Sequence, residues 1–166
     1  MIPDVLSSNM CSLKEAKVRA ALAVKILINK QGEKTSHQFF RCVIKNTIAT
    51  TYEKAQSALD AVSGNKIDTK LKVIMEQLNS AYRLLQNQTK AREPLDLELI
   101  EQEILFDNAG EVAAIRSKPR FDSHKIVEEF MILANICAAE TIKKNKLPFL
   151  YRIHEPPALE KLLNLK

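Results

Sequence analysis

The sequence predicts an α+β fold, two antiparallel β-hairpins packed with three to four helices. Three observations carry that expectation. Two stretches alternate apolar and polar residues on either side of a short turn, the period of a strand covered on one face. Three others repeat apolar residues every three or four positions, the period of a helix. The 166 residues include only three glycines and no tryptophan, which argues against a turn-rich barrel. No repeat, linker or low-complexity tract interrupts the chain, so residues 1–166 read as one unit.

Taken in order, residues 1–13 lack periodicity and read as an irregular lead-in. Leu22, Val24, Ile26 and Ile28 alternate along a first strand, and Lys30-Gln31-Gly32-Glu33 supply its turn. The return strand, about 35–45, sets Phe40, Cys42 and Ile44 on one face. Thr50 and Glu53 have capping-box spacing, so a helix should begin there, with Ala55, Leu59 and Val62 along one face and Gly64 at its exit. Asp68 caps a second helix, whose Leu71, Ile74, Met75, Leu78, Tyr82 and Leu85 form a core stripe closed off by Pro94. A second hairpin joins 104–106 to 112–115 through Asp107-Asn108-Ala109-Gly110.

The third helix, about 122–145, takes Asp122 as its cap. Apolar residues surround it: Ile126, Val127, Phe130, Met131, Leu133, Ile136, Cys137 and Ile142. Such a helix is expected to be buried on every side. A short strand at 149–153 and a last helix from about Pro157 complete the expectation.

Composition narrows the function classes. Hydrophobic residues make up 46% and charged residues 27%, which excludes wholesale disorder. The opening Met1-Ile2-Pro3-Asp4 lacks the basic and apolar regions of a secretory signal. No apolar run reaches the roughly 18 residues of a membrane span, so a cytoplasmic protein with no membrane partner is expected. Cys11, Cys42 and Cys137 are odd in number and far apart, which supports neither a disulfide framework nor a zinc site. His37, His124 and His154 form no ligand pattern.

The net charge of +5 is unevenly spread. Residues 1–90 carry 14 Lys/Arg against 7 Asp/Glu, residues 91–116 carry 2 against 7, and residues 117–166 carry 9 against 6. A basic body with one acidic hairpin suits a polyanionic partner such as nucleic acid.

Two positions have unusual chemistry. Glu128 and Glu129 lie in the helix expected to be buried, where an ionised carboxylate needs a cation, hydrogen-bond donors or a polar cleft. Helical offsets align His124, Glu128 and Asn135 along one side. Two readings stand for Glu128: a structural ion pair with Lys125 or an arginine elsewhere, or a carboxylate facing a cavity. His124 and Glu128 have no third ligand with which to hold a metal. Tyr52 occupies the first turn of a capped helix, where free N–H groups favour anions such as phosphate. It reads either as a half-buried packing residue or as a stacking and hydroxyl contact for a nucleotide.

Three segments carry a family resemblance: IPDVLSSNMCSLK, FFRCVIKNTIATTYEKAQSALD, and HKIVEEFMILANICAAE followed by LPFLYRIHEPP. In that order they resemble the RNB catalytic domain of the ribonuclease R and ribonuclease II exoribonucleases. The resemblance implies a 3′→5′ exoribonuclease that uses magnesium to hydrolyse single-stranded RNA to nucleoside monophosphates. It also implies that Tyr52 contacts the nucleotide at the RNA 3′ end. Glu128 would work with it through the terminal ribose to favour RNA over DNA. Arg92 and Leu97 would approach the stacked bases.

The same resemblance marks departures. The family's acidic aspartate cluster, which holds magnesium, lies upstream of the matched segment, and its arginine segment lies downstream. Asn46, Ala49 and Thr50 stand where serine, arginine and leucine are usual, which weakens the phosphate grip. The chain is therefore expected to be a partial RNB domain without catalytic residues, binding no metal and inactive alone. It could act with the missing portions on other chains, persist as an inactive RNA-binding remnant, or serve as a helical interaction module. Exposed apolar patches and self-association through them are expected as well.

Overall fold

The computed structural model describes residues 2–60, 68–91, 102–153, 155–158 and 161. Among them a π-helical turn, Val5–Met10, precedes strands β1 (Val18–Ile28) and β2 (Lys34–Lys45) and helices α1 (Tyr52–Leu59) and α2 (Thr69–Ala91). Strands β3 (Gln102–Phe106) and β4 (Val112–Ser117) and helix α3 (Asp122–Lys144) follow. Each strand pair is an antiparallel two-stranded sheet, so the α+β class stands. The chain divides into two compact units, Met1–Ala134 and Asn135–Lys166.

Both hairpins close in the same way. Asn29 and Asp107 each turn a side-chain oxygen onto two backbone N–H groups, those of Gln31 and Glu33 in the first loop and of Ala109 and Glu111 in the second. Three residues on, Gly32 and Gly110 adopt φ of +81° and +82°. That left-handed conformation disfavours any side chain, which explains glycine at both places.

The register Val24↔Phe39 and Ile26↔His37 puts the even-numbered residues of β1 on one face. Near the turn Val24, Ile26 and Ile28 are half-buried as the alternation requires, but Leu22 on the same face is 70% exposed. At the open end the cover lies on the opposite face, over Arg19, Ala21, Cys42 and Ile44. Phe40, expected beside Cys42 and Ile44, is exposed.

The lead-in accounts for that switch. It is not irregular throughout: Val5–Met10 form the π-helical turn, and Arg19 holds the segment by donating to the carbonyl oxygens of Asn9 and Ser12, both at 3.2 Å. Asn46 ties the segment to β2 by donating to the Leu13 carbonyl. At the far end Gly32 lies against the backbone of α2. A Cβ built on it would fall 2.0 Å from the Leu84 carbonyl oxygen.

The core of the first unit gathers Ala55 and Ala58 of α1, Met75 and Tyr82 of α2, and Ile126 of α3. The two alanines let α1 and α2 approach closely. Leu59, Leu71 and Phe130 pack around this cluster. Tyr82 keeps its hydroxyl satisfied by accepting from Gln86 at 2.7 Å. The α2 stripe is narrower than expected, since Ile74 and Leu78 are exposed. Ile126 is 1% exposed. Its replacement by alanine should cost about 2–5 kcal/mol of stability, read from a shifted denaturant midpoint at unchanged slope.

Helix α3 departs from the expectation of burial on every side. Ser123, Ile126 and Phe130 make a covered stripe, while Val127 and Met131 are 49% and 55% exposed. An apolar composition alone did not decide burial; the core residues of α1 and α2 pack against one face of its first half. The segment 149–153 forms no strand. Phe149 and Tyr151 bring their rings to 4.1 Å, and Leu150 and Ile153 are almost wholly exposed. Strand β4 is also exposed along its length. The expected apolar exposure is thus present among the described residues. The expectations at Val62, Gly64, Arg92, Pro94 and Leu97, and most of the last helix, lie outside the described residues. No helix among the described residues is long and apolar enough to cross a membrane.

Candidate nucleic-acid interface

The first turns of α1 and α3 meet, and they meet at Tyr52. Helix α1 starts one residue later than the capping-box spacing suggested. Thr51, not Thr50, is the N-cap, and its hydroxyl oxygen accepts from the Lys54 N–H at 3.4 Å. Tyr52 therefore holds the first helical position. The Glu53 carboxyl is pulled below its ordinary value of 4.5, chiefly by a hydrogen bond from Thr51 and then by its own backbone N–H. It stays anionic through the neutral range.

Helix α3 also starts differently from the sequence reading. Asp122 is its first residue and not its cap. The capping group is His124, whose Nδ1 accepts from the Phe121 N–H at 3.1 Å, while the His124 N–H returns to the Phe121 carbonyl. A side chain at the third helical position reaching back to the residue before the helix is the reciprocal half of a capping box. It fixes the imidazole ring in orientation.

Ser123 joins the two helices. It is buried, its hydroxyl donates to the Tyr52 carbonyl at 2.9 Å, and its N–H donates to the Gln56 side chain at 3.0 Å. Above this latch the Tyr52 and His124 rings stack, with centroids 4.0 Å apart and planes 18° from parallel. The Phe121 ring lies near-parallel to the same imidazole at 5.6 Å. Tyr52 remains 42% exposed.

Glu128 lies one turn beyond His124. It is not buried: its side chain is 47% exposed, and Oε2 accepts from Arg120 at 2.9 Å. Glu129 is half-buried. The premise of a buried carboxylate therefore fails at Glu128, because that side of α3 faces outward. Of the expected polar row, His124 turns to Tyr52 and Glu128 to Arg120, while Asn135 is an exposed residue of the second unit. The sequence reading missed Arg120, Phe121, Ser123 and Gln56. A serine and a histidine in the first turn of a helix were the available signal, and they are common there for local reasons.

Among the described residues, no three His, Cys, Asp or Glu side chains converge to hold a metal ion. The described residues do not fit a magnesium site.

Known proteins are similar to the chain over its whole length. The RNB domain model matches residues 1–166. Ribonuclease R of Thermotoga maritima is 34% identical over 167 residues, covering 100% of this chain and 24% of that protein. Ribonuclease R of Escherichia coli is 30% identical over 167 residues, covering 100% and 20%. The structure of Mycoplasma genitalium RNase R in complex with ribose-methylated single-stranded RNA superimposes with a TM-score of 0.87 at 25% identity. It covers 99% of this chain and 26% of that one. The chain thus spans about a fifth to a quarter of the length of the relatives it matches. The chain belongs to the RNB domain family.

Proposed function

We propose that this chain is the part of a cytoplasmic 3′→5′ exoribonuclease that helps seat the 3′ end of single-stranded RNA. The supporting observation is Tyr52, held at the first position of α1 with its ring backed by His124 and its carbonyl latched by Ser123. A half-exposed ring at a helix N-terminus offers stacking to a base. Glu128, one turn along α3 from the histidine, would accept a hydrogen bond from the 2′-hydroxyl that distinguishes RNA from DNA. The M. genitalium RNase R complex supports an RNA partner by similarity.

Under this reading the hydrolytic chemistry, which needs magnesium, is supplied by portions of the catalytic domain outside residues 1–166. The exposed apolar side chains offer surface for association with those portions or for self-association. A second reading, an inactive RNA-binding remnant, draws on Ala49 in the place of a family arginine.

Fluorescence anisotropy with a labelled single-stranded RNA and its DNA counterpart tests the proposal. RNA should bind more tightly than DNA, with affinity falling as salt rises. Tyr52→Ala should weaken RNA binding by about 1–3 kcal/mol, the worth of one stacked base. Equal, salt-insensitive binding of both nucleic acids, or none, would sink the proposal in favour of a protein-interaction module.

A further inference from the structure

We infer that His124 is a positioning residue, holding the Tyr52 ring in the orientation that receives the terminal nucleotide; this rests on the reading above. The imidazole is fixed before it touches Tyr52. Its Nδ1 accepts from the Phe121 N–H, so rotating the ring would break the bond that caps α3. The fixed ring then lies nearly parallel to Tyr52 at 4.0 Å. Ser123, the preceding residue, anchors the Tyr52 main chain through the carbonyl. Both the backbone and the side chain of Tyr52 are therefore set by two consecutive residues of α3.

This arrangement has a consequence for binding. A tyrosine free to change rotamer would lose that freedom when a base stacked on it, and affinity would fall accordingly. Here the rotamer is already chosen. Glu128 lies four residues beyond His124, one turn along the same helix. His124 touches no nucleotide in this account. It acts through Tyr52.

The two duties of His124, stacking and capping, can be separated by substitution. His124→Phe keeps a ring against Tyr52 but cannot accept from the Phe121 N–H. His124→Asn keeps an acceptor for the cap and removes the ring. The intact chain and both variants, with Tyr52→Ala and the Tyr52→Ala/His124→Asn double variant, are titrated against a 5′-labelled single-stranded RNA, and thermal melts are recorded.

His124→Asn should weaken RNA binding roughly three- to tenfold with little change in melting. His124→Phe should bind within about twofold of the unaltered chain. The double variant should bind no worse than Tyr52→Ala alone, since a residue acting through Tyr52 has nothing left to position. A histidine that only caps α3 would give the reverse order, with asparagine rescuing and phenylalanine failing. That order overturns the inference, as does unchanged binding of both variants while Tyr52→Ala weakens it. Failure of the unaltered chain to bind RNA, or no effect of Tyr52→Ala, removes the underlying reading and the inference together.

Discussion

Gly32→Ala should destabilise the first unit by on the order of 2–5 kcal/mol, whereas Gly110→Ala should cost only about 1–2 kcal/mol. The two glycines occupy the same place in the same kind of loop. Each follows an Asn or Asp that accepts from two backbone N–H groups, and each has φ near +80°. The conformational cost of a side chain is therefore shared. The surroundings differ. A Cβ at Gly110 meets nothing within 4 Å, but one at Gly32 would lie 2.0 Å from the Leu84 carbonyl oxygen and 2.7 Å from its carbon. Backbone in the middle of a 23-residue helix cannot step aside as a flexible side chain would. The hairpin must lift off α2, losing the Gln88 hydrogen bond to the Gln31 carbonyl as well. Urea unfolding of the two variants measures the difference. Equal losses would mean that the hairpin tip does not rest on α2.

Glu128→Ala should erase the preference for RNA over DNA, at a cost of about 1.5–3 kcal/mol to RNA binding, the worth of a hydrogen bond to a charged group. DNA binding should change little. The carboxylate is available for that role because its bond to Arg120 joins two half-exposed groups. Such pairs contribute about 0–1 kcal/mol and are readily exchanged. Oε1 keeps its acceptor capacity even while Oε2 faces Arg120. Competition binding of matched RNA and DNA strands reads the effect, and a preference that survives the substitution would assign ribose recognition elsewhere.

Much of the fold was legible because it depends on local rules. Alternation over β1 and β2 and the Asp68 cap of α2 all follow from periods and turn chemistry within a few residues. What was not legible depends on which face a neighbour covers. Leu22, Val127 and Met131 fit apolar patterns, yet each is exposed, because no described element lies over that side. The segment 149–153 reads as a strand by composition, but a strand exists only with a ladder partner.

The candidate site shows the same division. Tyr52 was placed correctly at a helix start, to within one residue of the cap. Glu128 was singled out for a reason the structure removes, since its burial was inferred from the apolar residues around it. The His124–Tyr52 stack and the Ser123 latch join positions about 70 residues apart, and no spacing rule connects them.

The most direct test of the central claim, that this chain seats the RNA 3′ end while the chemistry comes from elsewhere, is a hydrolysis assay. Labelled single-stranded RNA and magnesium are supplied to the chain alone, and to the chain mixed with polypeptides carrying the family's aspartate and arginine segments. The account predicts intact RNA with the chain alone and 3′→5′ shortening in the mixture, abolished by Tyr52→Ala. Hydrolysis by the chain alone, or shortening in the mixture that Tyr52→Ala leaves untouched, would contradict it.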